Sequence, residues 1–338
     1  MVVVSVVVLA YGRDRFVMDA VNSALNQTLP RERFEVIVVT NLASVERMVG
    51  GLVDRVVRHD DARGGYARGV EVSNGELVAF LDDDDIFDRG KLEHVVGVFG
   101  KDKSLGSYHH NVEFIDEQGR ELSTNAVPEY WRTKVLNERV YARTIEEKEK
   151  LVGYLIAKAH EVRSDLRDPF YWLGFNSSSI VVRRDLVMKY LGALGRMYIA
   201  QDNLHFIEAL LSDYAVMHEP IALTLYRLHS VGKASFGGAD KGMKQWNDMQ
   251  VLSEVIRSTW LEEYIDLKTT EIYQFSTLFA YAMSTKNTQL AEELLHEHLG
   301  KKWGLTSAIA RALLSVPGLK RLVLGYEARR IRQALSHT

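Results

Sequence analysis

The first hundred residues alternate two kinds of apolar pattern. Val2–Ala10 (VVVSVVVLA) is almost continuously apolar and β-branched, the composition of a strand buried on both faces. In Phe16–Leu25, the residues Val17, Ala20, Val21, Ala24 and Leu25 recur at helical spacing. Phe34–Thr40 predicts a second buried strand, Val45–Leu52 a helix, Arg55–His59 a short strand and Ala67–Ser73 a further helix before the Asn74-Gly75 turn. Glu76–Leu81 is again a strand pattern and runs straight into Asp82-Asp83-Asp84-Asp85; Lys91–Phe99 is helical. Apolar strands that alternate with helices predict a parallel sheet covered on both faces. Ligands of such sheets bind beyond the carboxyl ends of the strands, where the acid run falls.

Beyond Gly106 the pattern changes. Ser107–Ile115 reads as a strand, residues 130–168 are charged and mostly helical in pattern, and Ser178–Val182 is a strand. Arg184–Leu191 and Asn203–Leu211 read as helices, and Ala215–Tyr226 as one or two strands. From Lys244 the chain looks all helical, with Trp246–Ile256, Thr269–Met283 and Thr288–Leu299 as its segments. Gly237-Gly238 marks the boundary between the two regimes. The expected organisation is an α/β domain over 1–237 (halves 1–106 and 107–237), a helical region over 238–300 and a tail over 301–338.

Composition narrows the function classes. The 338 residues contain no cysteine, which excludes disulfides and thiolate metal sites. A net charge of −3 argues against a dedicated nucleic-acid binder. The charge is unevenly spread: residues 301–338 carry eight basic side chains against Glu327, a balance of +7 that leaves −10 on residues 1–300. Val2–Ala10 has no basic segment before it and is too short to span a bilayer, and no apolar run elsewhere reaches about 18 residues. A cytoplasmic protein is therefore expected.

Four adjacent aspartates repel one another. A solvated acidic loop is the bland interpretation, yet this run is pinned between a buried strand and Ile86-Phe87. Carboxylate oxygens converging there suit a hard cation, magnesium or manganese. A calcium loop starting at Asp82 fails, because Ile86 stands at a ligand position and Phe87 where the sharp turn needs glycine. Neither a phosphate-binding P-loop nor a dinucleotide Gly-x-Gly-x-x-Gly is present. A cation held there would neutralise a diphosphate leaving group, and an attacking hydroxyl would need a carboxylate as general base. Asp202, at the start of an amphipathic helix, is the candidate; helix N-cap is its alternative role.

Three segments now carry a resemblance. VSVVVLAYGRDRFVMDAVNSALNQT (4–28), FEVIVVTN (34–41) and GGYARGVEVSNGELVAFLDDDDIF (64–87) resemble, in order and spacing, the opening of glycosyltransferase family 2, with its GT-A fold: a mixed, mostly parallel Rossmann-like sheet with helices on both faces. The resemblance implies transfer of a sugar from a UDP-, GDP- or dTDP-sugar to a glycan or lipid-linked acceptor hydroxyl, with inversion and with Mg2+ or Mn2+. It implies Tyr11 against the nucleotide base and Arg13, Asn41 and Arg68 at the donor, with Arg68 near the diphosphate. Asp82 and Asp83 would face the ribose side, Asp84 with Asp82 the metal, and Asp85 would support the loop. Asp202 matches the second acid of the family's Glu-Asp pair, the general base. Tyr226-Arg227-Leu228-His229 resembles a Tyr-Arg-x-His segment, which places His229 at the diphosphate or metal. Two positions depart from the pattern: Thr40-Asn41 replace an aspartate after the second strand, and Gln201 replaces the glutamate before Asp202. His109 and His110, adjacent on a strand, are expected on opposite faces and structural.

Two rivals stand beside this reading. A sugar-phosphate nucleotidyltransferase would want a glycine-rich loop after the first strand, and Leu9-Ala10-Tyr11-Gly12-Arg13 is poor in glycine. A degenerate transferase fold acting as an interaction module through 244–300 would explain the two departures. The tail adds a membrane expectation. Leu305, Ala308, Ile309, Ala312, Leu313 and Val316 share one helical side, and a second, arginine-rich segment follows Pro317-Gly318. Basic amphipathic helices bind anionic bilayers with about 1 kcal/mol per basic residue, which suits a peripheral position on the cytosolic face. Deleting residues 303–338 is expected to abolish sedimentation with anionic liposomes.

Overall fold

The computed structural model describes residues 2–61, 63–132, 135–162, 176–229, 239–265, 275, 278–279, 282–283, 287–300, 323–326 and 329. The tail segment 303–322, the boundary glycines and most of the helix expected over Thr269–Met283 lie outside these residues. Among the described residues, no helix is long and apolar enough to cross a membrane.

The chain divides into two units, Met1–Ser235 with Val251–Ile265, and Phe236–Gln250 with Asp266–Thr338. The first is built on a nine-stranded sheet. Strands β1 (Val4–Ala10), β2 (Phe34–Thr40), β3 (Arg55–Arg58) and β4 (Leu77–Asp82) form its parallel block in the order β3-β2-β1-β4. Helices α1 (Val17–Leu25), α2 (Ala43–Val49) and α3 (Gly65–Val72) connect these strands, and α4 (Lys91–Lys101) follows the two-residue β5 (Ile86–Phe87). Beyond β4 the sheet becomes mixed: β8 (Ile180–Arg183) pairs antiparallel with β4 and with β6 (Leu105–Ile115), which pairs parallel with β9 (Ala215–Arg227).

The strand β9 is one element of 13 residues, where the sequence left one or two open. Pro220 lacks an N–H for the ladder, and the register against β6 slips between Glu219 and Ala222. The edge partner changes there too: β7 (Val140–Ala142) pairs before it and β5 after it. Helices α5 (Glu129–Arg132) and α6 (Ile145–Val162) flank β7. The helix expected over Arg184–Leu191 is broken into α7 (Arg184–Lys189) and α8 (Leu191–Leu194), and α9 (Gln201–Leu210) follows.

Val6, Val8, Val36, Val38, Ala79 and Leu81 are fully or almost fully buried, as are Val17, Ala20, Val21 and Ala24 of α1. Each buried valine or leucine contributes about 1.5–3 kcal/mol, so this block is the rigid base of the fold. The second unit has its own apolar cluster: Trp246 of α10 (Ala239–Ile256), Phe275 and Phe279, with Leu290, Leu294 and Leu295 of α11 (Thr288–Gly300).

Helix α3 lies very close to the sheet, and Gly69 makes that possible. A Cβ there would sit 2.2 Å from Val7 Cγ1 and 3.1 Å from Val39 Cγ2. Glycine to alanine in a helix ordinarily gains about 1 kcal/mol. Here the clash with two buried valines dominates, and Gly69→Ala is expected to lose roughly 1–3 kcal/mol in urea unfolding.

Candidate active site

The parallel block brings three loops to one edge. Tyr11-Gly12-Arg13 follows β1, Asn41 follows β2, and the acid run leaves β4, whose last residue is Asp82. Strand β1 lies between β2 and β4, so these segments meet at the carboxyl ends of three adjacent strands. Gly12 adopts a left-handed φ of 75°, and its N–H donates to Asn41 Oδ1 at 2.9 Å. That bond ties the first loop to the second.

All four aspartates are buried, and each has distinct partners. Asp82 Oδ1 accepts from the Tyr66 hydroxyl of α3 at 2.7 Å, and its N–H donates to Ser178 Oγ at 3.0 Å. The Arg13 guanidinium donates to Asp83 at 2.6 Å and also pairs with Asp84 Oδ2. His229 Nε2 lies 2.9 Å from that same Asp84 oxygen, with its ring edge-on to Phe16. Asp85 accepts from Asn176 Nδ2 at 3.0 Å and from the Arg227 N–H at 3.1 Å.

Arg227 organises the run from beneath. Its guanidinium donates to the Asp84 carbonyl at 2.9 Å, to the Glu117 carbonyl at 3.0 Å and to Asp19 Oδ2 at 2.9 Å, and it stacks 4.5 Å from the Phe16 ring centre. Sequence reasoning gave Arg227 no role, although it sits inside the quoted Tyr-Arg-x-His segment. Tyr66, Asn176 and Ser178 were also missed. Only Tyr66 had a signal, inside the quoted segment 64–87 and one residue before the helix expected over Ala67–Ser73, which the structure starts at Gly65.

The electrostatics show a deficit of positive charge. Burial, then repulsion by Asp84 and Asp82, pushes the Asp85 carboxyl up to about 8, against hydrogen bonds from Ser178 and Asn176. Burial pushes Asp83 up to about 7, against the opposing hold of Arg13. Burial also works against the Arg13 charge, yet bonding and attraction from Asp83 and Asp84 hold that guanidinium above its ordinary value. Asp82, Asp84 and Asp85 each offer an oxygen within 4.8 Å of the others, and this is the candidate metal cluster among the described residues. Three carboxylates short of positive charge fit a hard divalent cation.

Asp202 lies in the first turn of α9, and the N-cap position belongs to Ala200. The capping alternative for Asp202 is thereby corrected: the helix begins two residues earlier than the apolar pattern suggested. Helix α9 is locked to the acid strand. His205 stacks on Phe80 of β4 at 4.0 Å and pairs with Glu208 at 3.0 Å, both fully buried. At its far end, Lys148 donates to the Ala209 and Ser212 carbonyls at 3.1 and 2.6 Å.

Residues 5–147 match the model of the family described as glycosyl transferase family 2. Over residues 5–147, then, the chain is similar to glycosyltransferase family 2. It is 28% identical over 123 residues to an uncharacterized glycosyltransferase of Nostoc sp., covering 33% of this chain and 37% of that protein. It is 32% identical over 131 residues to an uncharacterized glycosyltransferase of Rickettsia bellii, covering 36% of this chain and 18% of that one. The match thus spans under two fifths of the length of either relative. In fold, the chain resembles S. aureus TarS 1–349 in complex with UDP-GlcNAc, at 14% identity and a TM-score of 0.56, covering 99% of this chain and 92% of that one. The mixed sheet with its flanking helices is the GT-A architecture.

Around the carboxyl end of β4, Arg13, Asp82, Asp83, Asp84 and His229 form one connected cluster, and His229 joins it from beyond the matched residues 5–147. Asn41 and Tyr11 border it: the Tyr11 hydroxyl donates to the Asp60 carbonyl at 3.0 Å. Arg68 does not join. It stands on the outer face of α3, half exposed, paired with Glu71 at 2.6 Å. The α3 side chain that reaches the acids is Tyr66. His109 and His110 depart from strict alternation: β6 shifts register at His110/Asn111, and their rings lie 6.3 Å apart and 11° from parallel, lining one recess.

The raised carboxyls make a pH prediction. In the unfolded chain both aspartates titrate near 3.8, far below their folded values. The folded state therefore holds its protons longer, and this stability is present at pH 4 and lost as pH rises through about 7 and 8. In EDTA, the Tm difference between Asp85→Asn and wild type is expected to move in favour of the variant by a few degrees from pH 5 to pH 9.

Proposed function

We propose that this chain transfers a sugar from a nucleotide-diphosphate sugar to an acceptor hydroxyl, with inversion at the anomeric carbon. The observation that carries the reading is the cluster of buried carboxylates at the end of β4, short of positive charge, inside the stretch that matches family 2. A magnesium or manganese ion held by Asp82, Asp84 and Asp85, with His229 beside Asp84, would stabilise the departing diphosphate. Arg13 holds Asp83 and Asp84 in register and faces the donor from the first loop. Tyr11 and Asn41 border the nucleotide side. Asn41 stands where the family has aspartate, which leaves UDP, GDP and dTDP open; the complex of the fold neighbour with UDP-GlcNAc supports testing UDP first.

In the reaction, the acceptor oxygen attacks the anomeric carbon as the bond from that carbon to the diphosphate oxygen breaks. The acceptor proton passes to the Asp202 carboxylate, and the nucleoside diphosphate leaves with the bonding pair. General base assistance of this kind contributes about 10²–10⁴-fold. The acceptor is a glycan or a lipid-linked sugar, and the basic tail, residues 303–338, serves the second case by docking on anionic lipid.

The test is calorimetry and thermal shift with UDP, GDP, dTDP and their sugars, with and without Mn2+. Metal-dependent stabilisation by one nucleotide, lost in Asp84→Ala, is the expected result. Asp202→Asn is expected to keep that binding while transfer falls by roughly 10²-fold or more. Absence of stabilisation by every nucleotide would overturn the transferase reading in favour of an interaction module.

A further inference from the structure

Beside the acid cluster lies a recess of about 350 Å3, counting its open mouth. Phe114, Trp131 and Tyr226 form an aromatic wall: Trp131 and Tyr226 lie 4.8 Å apart, and Phe114 meets Tyr226 edge-on at 5.9 Å. The remaining wall is polar, with His109, His110, Asn111, Asn176 and Ser179. Asn176 places the recess next to the reaction centre, because its amide also holds Asp85 at 3.0 Å.

Most of these polar groups are already occupied. Asn111 donates to the Leu136 carbonyl at 2.8 Å and accepts from the Leu136 N–H at 3.1 Å. Asn176 Oδ1 accepts from the Ser178 N–H, and Ser179 Oγ donates to the Asn176 carbonyl at 2.6 Å. His109 pairs with His218 at 2.6 Å. His110 differs. Its Nδ1 lies 2.7 Å from the Asn111 carbonyl, so that nitrogen carries the proton. Nε2 is then an acceptor, and among the described residues it is buried without a partner. Burial holds the ring well below its ordinary pKa, so it stays neutral. An unmet buried acceptor costs about 1–3 kcal/mol, and a ligand donor recovers that loss.

We propose that this recess is a sugar subsite in which His110 Nε2 accepts a hydrogen bond from a ring hydroxyl while the apolar face of the pyranose lies along Trp131 and Tyr226. The chemistry is specific: the unmet nitrogen accepts, so its partner must donate, and the wall suits a C–H face. The inference rests on the transferase reading. The ring belongs either to the donor or to the acceptor. His110 selects for a hydroxyl at one ring carbon, and an analogue lacking it leaves Nε2 unmet.

The experiment is saturation-transfer NMR with Mn2+ on wild type, His110→Leu and Trp131→Ala, the last a rim change that spares the buried strand. One arm uses UDP-GlcNAc, UDP-glucose, GDP-mannose and dTDP-glucose. The other uses methyl glycosides of glucose, galactose, mannose and GlcNAc on protein saturated with the matching nucleoside diphosphate. Loss of sugar-ring signals from the donor in both variants, with base and ribose signals kept, places the donor sugar in the recess. Unchanged donor signals with methyl glycoside binding weakened about fivefold to tenfold place the acceptor sugar there. Sugar signals that are equal in the variants and wild type, or missing from wild type, overturn the subsite whatever the nucleotide does. Failure of every nucleotide to bind, with glycoside binding still dependent on His110, removes the transferase reading and keeps the recess.

Discussion

Four carboxylates buried at the end of one strand is the constraint that shapes this molecule. Such a group is tolerated only with cations or shared protons nearby. Two arginines from distant parts of the sequence answer it in different ways. Arg13 meets the side chains of Asp83 and Asp84 from the β1 loop, while Arg227, at the end of β9, donates from its guanidinium to the Asp84 carbonyl and from its backbone N–H to the Asp85 carboxylate. Together they bind the first strand and the last of the domain to the acid loop. Even so, Asp83 and Asp85 keep carboxyls pushed up to about 7 and 8. The remaining deficit of positive charge sets the loop apart from a finished ion-pair network.

The N-terminal half was legible because its signals are local. Continuous β-branched runs specify buried strands, and 3.6-residue spacing specifies α1 and α4, so the parallel block followed with errors of a residue or two at its ends. The acid loop was legible because an acid run after a buried strand has few physical explanations. Arg68 shows the limit. It occupies the expected segment, but helical phase turns it outward to Glu71 and turns Tyr66, two residues earlier, onto Asp82. Helical phase at an apolar, glycine-rich helix such as α3 is set by how closely Gly69 packs on Val7 and Val39. No local pattern reports that.

The second half was less legible because long-range pairing decides it. The sequence could not tell whether Ala215–Tyr226 was one strand or two, since the answer depends on which partner lies on each side of Pro220. Nor could alternation place His109 and His110, because the register shift in β6 follows from its pairing with β9. Arg227 and Asn176 were invisible as supports of the acid loop for the same reason: they lie 143 and 91 positions away from the aspartates they hold.

The site and the recess differ in the sign of what they lack. The acid loop has more acceptor oxygens than its arginines can satisfy and calls for positive charge. The recess is neutral, and among the described residues its one unmet side-chain atom is an imidazole nitrogen that calls for a donor. Asn176 joins the two, with one end on Asp85 and its backbone carbonyl taken by Ser179. A nucleotide sugar has this same division, with charge concentrated at the diphosphate and neutral hydroxyls on the ring. Under the proposed function, an acid loop holding a cation beside a neutral aromatic recess would complement both parts of one substrate class. That correspondence involves neither departure from the family pattern: Asn41 bears on which nucleotide the proposed site would take, and Gln201 stands beside the proposed base, Asp202.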